Sequence, residues 1–355
     1  MARALGGEIL NFSCWPGGET DAASMASSAA EVTRIDSGGL LPGHWLPVKA
    51  RRQAKEAVRE VDLLVVHSFY QAHVAWTRRV AHDQSIPYWL VPNGVLDPEV
   101  MTKNQWAKRL WIRLFGRAVL RDAAAIICAT RREAEKVQQH YGVENTVVVH
   151  WPCDLQDLTK RSEARKALRG RYGWDADTRI LFFMGRLHEG KRPTETVEAF
   201  RAAACERTVL ILAGPDDGAA GEAARQAAEG SDRIVFTGLV QGEQKEELLL
   251  AADGFISLSQ KENFGYTTAE SLAAGLPVIL SPGHDLAPEL KAVDCGWLLA
   301  SFEPQEAVAA IRAFDQAPAE DLADRGARGR AWAERELSFE AFQHRLSDLV
   351  EETVL

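Results

Sequence analysis

The feature that most constrains this chain is a regular alternation of short apolar runs with helical patterns, which continues through most of its length. Short apolar strands separated by helices are typical of parallel sheets that are covered by helices on both faces. The predicted strands are residues 8–14, 31–35, 62–67, 87–91, 124–129, 146–149, 179–184, 208–213, 233–237, 254–258, 278–280 and 296–299. The sequence therefore predicts an α/β fold with doubly wound, Rossmann-like parallel sheets.

The length of 355 residues favours two domains, because a single compact core rarely grows so large. After Asp154 a charged helical segment interrupts the strand pattern. We therefore expect an N-terminal domain over residues 1–154, a C-terminal domain over residues 155–330 and a closing helix over residues 331–355. This helix is expected either to cap the second domain or to cross back to the first. Two doubly wound domains that face each other form a ligand-binding cleft between their loops.

Composition excludes several classes of protein. The chain has 41 basic and 50 acidic residues and a net charge of −9, which argues against nucleic acid as a partner. Its 5 cysteines are scattered without metal-ligand spacing, as in a reduced protein without structural zinc. No apolar run approaches the roughly 18 to 20 residues of a membrane span. We expect a cytoplasmic protein, with peripheral attachment to the inner face of the membrane left open.

One stretch in the second half predicts an anion site beside two carboxylates. Glu262 lies in the loop after strand 254–258, and Glu270 is expected in the first turn or so of the helix that follows. Gly265, Thr267 and Thr268 fall where the unpaired N–H groups of that helix are exposed. Such a terminus favours an anion, because its donors lack partners and the helix dipole is positive there.

Other strand exits in this half carry groups that suit a diphosphate. Arg186 and Lys191 follow strand 179–184, with glycines between and beside them. Two cations with close backbone approach can hold a diphosphate, although the same residues fit a solvated turn. Gly214 and Gly238 follow the next two strands, where they either approach a base or ribose or simply form turns.

The first half contributes two further candidate groups. His67 ends strand 62–67, and Asn93 follows strand 87–91 in the segment PNGVLDP. These exits are expected to face the loops of the second domain. His67 by itself is equally compatible with a packed or exposed histidine.

Residues 102–121 contain no acid and carry two stripes of side chains. Trp106, Leu110 and Leu114 form an apolar stripe, while the basic stripe consists of Arg109, Arg113 and Arg117. One interpretation is an ordinary helix with one packed and one solvated face. The other is an interfacial helix that contacts anionic lipid head groups.

The motifs of the second half together resemble a known family. The segments GRLxxxK, AGPDDG, FTG, ENFGxxxxESLAAGLPVI and CGW are similar to those of retaining glycosyltransferases of the group 1 type, family four, which have the two-domain GT-B fold. The resemblance implies that Arg186 and Lys191 hold the diphosphate of a nucleotide sugar. It also implies that Glu270 binds the ribose and Glu262 the transferred sugar. The backbone that would assist at the diphosphate is that of Gly265, Tyr266, Thr267 and Thr268.

The reaction implied by this resemblance is the transfer of a hexose-type sugar from a nucleotide-diphosphate sugar to an acceptor hydroxyl, with retention of anomeric configuration. No metal and no cofactor other than the donor substrate are expected. The implied setting is polysaccharide or lipid-linked glycan biosynthesis. The alternative is a catalytically impaired homologue that binds a nucleotide sugar and serves as a partner or regulatory subunit.

Two departures from the family pattern concern the catalytic and hinge segments. Asn93 stands where the family usually has a sugar-side histidine, and an amide can donate a hydrogen bond but cannot become cationic. The interdomain PNGVD motif appears here as Trp151-Pro152-Cys153-Asp154. The first departure motivates the binding-protein alternative, whereas the second would alter only a hinge.

A third departure concerns the first residues. Met1 to Gly7 resemble the end of the family's first helix, which would make residues 8–14 the second strand and leave the first strand and its glycine-rich loop missing. In the other interpretation, residues 9–14 are the first strand and Gly17 belongs to the loop. We favour the first interpretation.

Overall fold

The computed structural model describes residues 9–13, 32–36, 52, 55–56, 58–59, 61–98, 104–216 and 218–354. The chain divides into two compact units. The first contains residues 1–150 together with residues 342–355, and the second contains residues 151–341. Each unit is built on parallel strands joined by helices.

The described part of the first unit contains two parallel sheets. Strands β1 (Ile9–Ser13) and β2 (Val32–Asp36) pair with each other. The second sheet has the order β3-β4-β5-β6, formed by Leu64–His67, Tyr88–Val91, Ala125–Cys128 and Thr146–Val148. The choice between the two interpretations of the N-terminal segment depends on Gly17, which lies outside the described residues.

Helices and a helical turn connect and flank the strands of the four-stranded sheet in the part of the chain that the structure describes. They are α1 (Ala72–Gln84), α2 (Gln105–Trp111), a π-helical turn (Ile112–Gly116), α3 (Arg117–Asp122) and α4 (Arg131–Tyr141). The local sequence explains where α4 starts and stops: the Thr130 hydroxyl accepts a hydrogen bond from the Glu133 N–H, and Gly142 ends the helix with a φ of +66°. The core beneath includes Phe69, Leu90 and Ile126.

The second unit has a six-stranded parallel sheet in the order β12-β11-β10-β7-β8-β9. The strands are β7 (Arg179–Met184), β8 (Thr208–Ala213), β9 (Ile234–Gly238), β10 (Gly254–Ser257), β11 (Val278–Leu280) and β12 (Gly296–Leu298). From β7 the chain adds strands in one direction, and after β9 it returns to add β10 on the other side of β7. The strand order therefore reverses between β7 and β10, which is where doubly wound sheets bind their ligands.

Helices on both faces complete the second unit. They are α5 (Arg161–Tyr172), α6 (Pro193–Ala203), α7 (Ala219–Ala228), α8 (Gly242–Ala251), α9 (Tyr266–Ala273), α10 (Ala287–Leu290), α11 (Pro304–Gln316) and α12 (Ala319–Leu337). Packing on the sheet is close: a Cβ at Gly254 would lie 2.4 Å from a ring carbon of Phe314. Only glycine fits there, because so short a contact cannot be relieved without moving the ring or the strand.

The last helix, α13 (Phe339–Thr353), buries Phe342, Leu346 and Leu349. Within the first unit, the indole N–H of Trp89 donates to the hydroxyl of Thr353 at 2.9 Å. These three residues recur at the three- to four-residue spacing of one helical face.

The predicted fold class, an α/β chain with two doubly wound parallel-sheet domains, is confirmed. Each predicted strand is present, and the bounds of β7, β8 and β11 agree with the prediction. None of the helices described here combines the length and apolar character that crossing a bilayer demands.

Candidate active site

The loops that leave β7 and β10 meet at the point where the strand order reverses. The N–H of Gln260, after β10, donates to the carbonyl of Gly190, after β7, at 2.8 Å. This hydrogen bond fixes the two exits side by side. It brings the basic segment that contains Lys191 next to the acidic segment that contains Glu262.

Lys191 and Glu262 form an ion pair between these loops, from Nζ to Oε2. Their side chains are 29% and 19% exposed, so the pair is partly shielded from water but still accessible to a ligand. The backbone of Glu262 is held on both sides, because its N–H donates to Gly283 and its carbonyl accepts from Asp285, each at 2.9 Å. The predicted cation and the predicted sugar-side carboxylate are therefore in direct contact.

The helix that follows, α9, begins at Gly265. Gly265 has a φ of +76°, a left-handed conformation that favours glycine, and a Cβ there would lie 3.0 Å from Cγ of Glu262. The first hydrogen bond within the helix runs from the Ala269 N–H to the Gly265 carbonyl. In the described part of the chain, no side chain caps this terminus. The N–H groups of Tyr266, Thr267 and Thr268 thus remain without intrahelical partners, as an anion site requires.

Glu270 lies in the second turn of α9, slightly later than the sequence pattern suggested. Its Oε1 accepts a hydrogen bond from Nζ of Lys245 at 2.7 Å. Lys245 belongs to α8, and we did not predict a role for it. Both carboxylates of the stretch are therefore neutralised by a lysine.

His284 is a second residue that sequence reasoning missed. It is buried beneath the Glu262 loop, with Nε2 lying 2.9 Å from the Ser257 hydroxyl. Its Nδ1 has no hydrogen-bond partner among the described residues and would lie 3.5 Å from a Cβ at Gly265. Burial, reinforced by the charge of Lys191, lowers the pKa of His284 to about 3. The ring is therefore a neutral packing and hydrogen-bonding group.

The other predicted groups of this unit lie at neighbouring strand exits. Arg186 is exposed directly after β7, in the same loop as Lys191. Gly214 is required by close approach, since a Cβ there would overlap the carbonyl of Gly185 at 1.8 Å. The N–H of Gly214 donates to the carbonyl of Gly238 at 2.8 Å, so the exits of β7, β8 and β9 are packed backbone to backbone. This packing explains why position 214 requires glycine. The contact of Gly214 with a nucleoside stays a prediction.

In the first unit, the structure brings His67 and Asn93 together at the exits of β3 and β4. Asn93 Nδ2 and His67 Nδ1 are 3.5 Å apart, at the limit of a hydrogen bond. Asn93 has a φ of +53°, a conformation that asparagine tolerates better than most residues. Loss of solvent around the ring and the nearby His73 lower the pKa of His67. The assignment of Asn93 to the reaction stays a prediction.

A buried carboxylate supports the turn that contains Asn93. Glu133, 2% exposed, accepts hydrogen bonds from the N–H of Gly94 at 2.8 Å and from that of Ala129 at 2.7 Å. In the sequence, Glu133 is marked only by the capping-box spacing that it forms with Thr130. That spacing predicts a helix start, but it does not predict that the carboxylate reaches across to the Asn93 turn.

The apolar stripe of residues 102–121 is not packed against the core. Trp106 and Leu114 are 75% and 59% exposed, and Leu110 is also exposed. The packed face of this segment is formed instead by residues such as Val119 and Leu120. The interpretation in which this stripe is the packed face of an ordinary helix is therefore wrong.

Comparisons with known proteins agree with this architecture. A family model described as glycosyl transferases group 1 matches residues 164–332, and a glycosyl transferase 4-like domain model matches residues 3–153. The chain is 31% identical over 229 residues to a D-inositol 3-phosphate glycosyltransferase of Geodermatophilus obscurus, an alignment that covers 61% of this chain and 50% of the relative. It is 32% identical over 201 residues to a GDP-mannose-dependent alpha-(1-6)-phosphatidylinositol dimannoside mannosyltransferase of Mycobacterium tuberculosis, covering 54% and 49%.

The chain thus spans about half the length of the curated relatives that it matches. Among solved structures, Anabaena Alr3699/HepE in complex with UDP and glucose shares the fold, with a TM-score of 0.76 and 17% identity over 97% of this chain and 99% of that one. The two family models between them cover both units of the chain. The chain therefore belongs to the group 1 glycosyltransferases.

Proposed function

We propose that this protein transfers a hexose-type sugar from a nucleotide-diphosphate sugar to an acceptor hydroxyl, with retention of anomeric configuration. The observation that carries the proposal is the contact between Lys191 and Glu262 beside the uncapped N-terminus of α9. There, a cation, a carboxylate and unpaired N–H donors lie together where the strand order of the sheet reverses between β7 and β10. This combination suits a ligand that joins a diphosphate to a sugar.

The diphosphate would bind to Lys191, Arg186 and the N–H groups that begin α9. Negative charge builds up on the leaving diphosphate as the bond to the sugar breaks. Fixed cations and a helix terminus lower the energy of that charged transition state. We propose that these groups are sufficient without a metal or other cofactor.

Glu262 would bind hydroxyl groups of the transferred sugar. The ammonium of Lys191 has three N–H donors, so it can keep its bond to Glu262 while it also contacts the β-phosphate. The ion pair would therefore set the distance between the diphosphate and the sugar-binding carboxylate.

The nucleoside would lie towards Glu270 and the exits of β8 and β9, at Gly214 and Gly238. The solved Anabaena protein of the same fold binds UDP and glucose, and the mycobacterial relative uses GDP-mannose. These precedents support a nucleotide-sugar donor, and they differ in the base. We therefore leave the base open in the design of the experiments.

For the acceptor we propose a lipid-linked or lipid-derived glycan, reached by peripheral contact with an anionic membrane. The exposed side chains of Trp106, Leu110 and Leu114 support this proposal, because large apolar groups at a water-exposed surface are typical of an interfacial helix. A cavity of about 1030 Å³ lies beside this segment and is lined by Arg109, Arg117, Arg121 and His140, among others. Phosphate head groups would find cations there.

The transferase is tested by incubating the protein with UDP-, GDP- and ADP-sugars and a lipid-extract acceptor, and measuring release of the nucleoside diphosphate. We expect turnover with one donor class, and product of the same anomeric configuration as the donor. Glu262→Gln should lower kcat by about 100-fold or more, because it removes the carboxylate that would contact the reacting sugar. Glu243→Gln on α8 is the matched control. Tight binding of a nucleotide sugar without turnover would favour the binding-protein alternative.

A further inference from the structure

Lys245 is a charged residue to which the reaction proposed above assigns no role. It lies on α8 (Gly242–Ala251), and its Nζ donates to Oε1 of Glu270 on α9 at 2.7 Å. The Lys245 side chain is 35% exposed and that of Glu270 is 23% exposed. The pair is thus more shielded from water than the ion pair that Glu246, also on α8, forms with Lys160. The side chains of Lys160 and Glu246 are 58% and 36% exposed.

We propose that Lys245 is a positioning residue that orients Glu270 towards the hydroxyl groups of the donor's ribose and thereby selects ribonucleotides over deoxyribonucleotides. The inference rests on the proposed function, in which Glu270 binds the ribose. It adds the residue that fixes the geometry of that contact.

The two carboxylate oxygens of Glu270 differ in their hydrogen bonds. Oε1 is occupied by Lys245, whereas no hydrogen bond to Oε2 occurs among the residues that the structure describes. A carboxylate held at one oxygen by a cation has a fixed plane. Its second oxygen can then accept from the ribose hydroxyl groups in one orientation only. A fixed orientation is needed to discriminate a ribose, which has the hydroxyl, from a deoxyribose, which has hydrogen in its place.

The carboxylate of Glu270 lies in a partly buried environment. Cys153 lies close by, with Sγ 3.7 Å from the carbonyl of Ala269. Burial, followed by the negative charge of Glu270, raises the pKa of the Cys153 thiol to about 12. The Glu270 side chain is itself only 23% exposed, so a hydrogen bond missing from the ligand is poorly replaced by solvent.

Lys245 should contribute little to the stability of the helix pair. An ion pair that water still reaches contributes little to stability. Removing a cation at 35% exposure should therefore leave folding nearly unchanged. Its effect should appear in the ligand preference instead.

The test measures the affinity of the protein for a nucleoside diphosphate and for its 2′-deoxy and 3′-deoxy forms by titration calorimetry. UDP, GDP and ADP are tried first, and the tightest is used. The variants are Lys245→Met, Lys245→Arg and Glu270→Gln. Lys160→Met is the matched control, because it removes a lysine that is ion-paired to Glu246, the neighbour of Lys245 on α8. Thermal unfolding of each variant reports folding.

We expect the wild type to prefer the ribonucleotide over a deoxy form by about tenfold, the value of one well-formed hydrogen bond to a charged group. Lys245→Met should reduce that ratio to about twofold with an unchanged affinity for the deoxy form, and Lys245→Arg should restore part of it. Lys160→Met should behave as wild type.

Equal weakening of both nucleotides in Lys245→Met, or an unchanged ratio, would overturn the inference while leaving the role of Glu270 intact. A wild-type ratio in Glu270→Gln would overturn the ribose contact itself and the inference with it.

Discussion

Lys191 and Glu262 are 71 residues apart in the chain and form a direct ion pair across two neighbouring strand exits. The contact exists because β10 pairs with β7 in the sheet. Strands β8 and β9 come between them in sequence, but both lie on the other side of β7. The reversal of strand order thus places a cation and a carboxylate at one edge of the sheet. The uncapped start of α9 follows Glu262 directly.

The buried carboxylate of Glu133 should be important for the stability of the first unit. Glu133→Gln replaces a charged acceptor by an amide whose nitrogen cannot accept from the N–H of Gly94 or Ala129. Since one buried N–H then loses its partner, we expect a loss of about 1–3 kcal/mol in the free energy of unfolding. Urea unfolding measures it, with Glu135→Gln, exposed on the same helix, as the control. An equal stability of the two variants would show that the buried bonds contribute nothing.

The buried ring of His284 should make stability depend on pH. Its pKa is about 3 in the folded protein against an ordinary 6.5, so below pH 6.5 the unfolded chain binds a proton that the folded protein does not. Stability is therefore fully present above pH 6.5 and falls as the pH is lowered towards 3, by at most about 1.4 kcal/mol per pH unit for this group. In His284→Gln, which cannot titrate, the loss of stability between pH 7 and pH 5 should be smaller than in wild type. The same slope in wild type and His284→Gln would contradict the assignment.

The apolar and basic stripes of residues 102–121 should bind anionic membranes. Replacing Arg109, Arg113 and Arg117 by glutamate should abolish co-sedimentation with phosphatidylcholine vesicles that contain phosphatidylglycerol, since three attractive charges become repulsive. The matched control makes the same change in net charge at the exposed residues Lys166, Lys291 and Arg335. Trp106→Ser with Leu114→Ser should weaken binding at every salt concentration, because its effect is apolar. Equal partitioning of the basic-stripe and control variants would remove the membrane proposal.

The fold could be predicted closely from the sequence because its strands are fully buried and therefore read as continuous apolar runs. The residues of β7, β8 and β11 illustrate this, since most of their side chains are buried. The proximity of Lys191 and Glu262 was also predictable, because parallel strands bring their exits to one edge of a sheet. The family motifs then indicated which exits to pair.

Other features of the site depend on contacts that a sequence pattern does not encode. Lys245 meets Glu270 only because α8 and α9 pack with particular faces together, and spacing along the chain does not predict that contact. His284 is a polar residue in a loop and carries no sign of its burial. For the stripe at Trp106, Leu110 and Leu114, the spacing indicated one helical face, but periodicity alone does not say whether core or solvent covers that face. The π-helical turn at Ile112–Gly116 shifts the phase of the segment as well.

The central claim is that the diphosphate of a nucleotide binds between Lys191 and the start of α9. Calorimetric titration of UDP, GDP and ADP, each beside its monophosphate, into wild type and Lys191→Met tests it most directly, with Lys166→Met as the control. We expect one diphosphate to bind more tightly than its monophosphate. Lys191→Met should weaken that diphosphate by about 10- to 100-fold, as the loss of one charge-assisted contact does, while the monophosphate is unaffected. An unchanged diphosphate affinity in Lys191→Met, or no binding of any diphosphate to wild type, would contradict the claim.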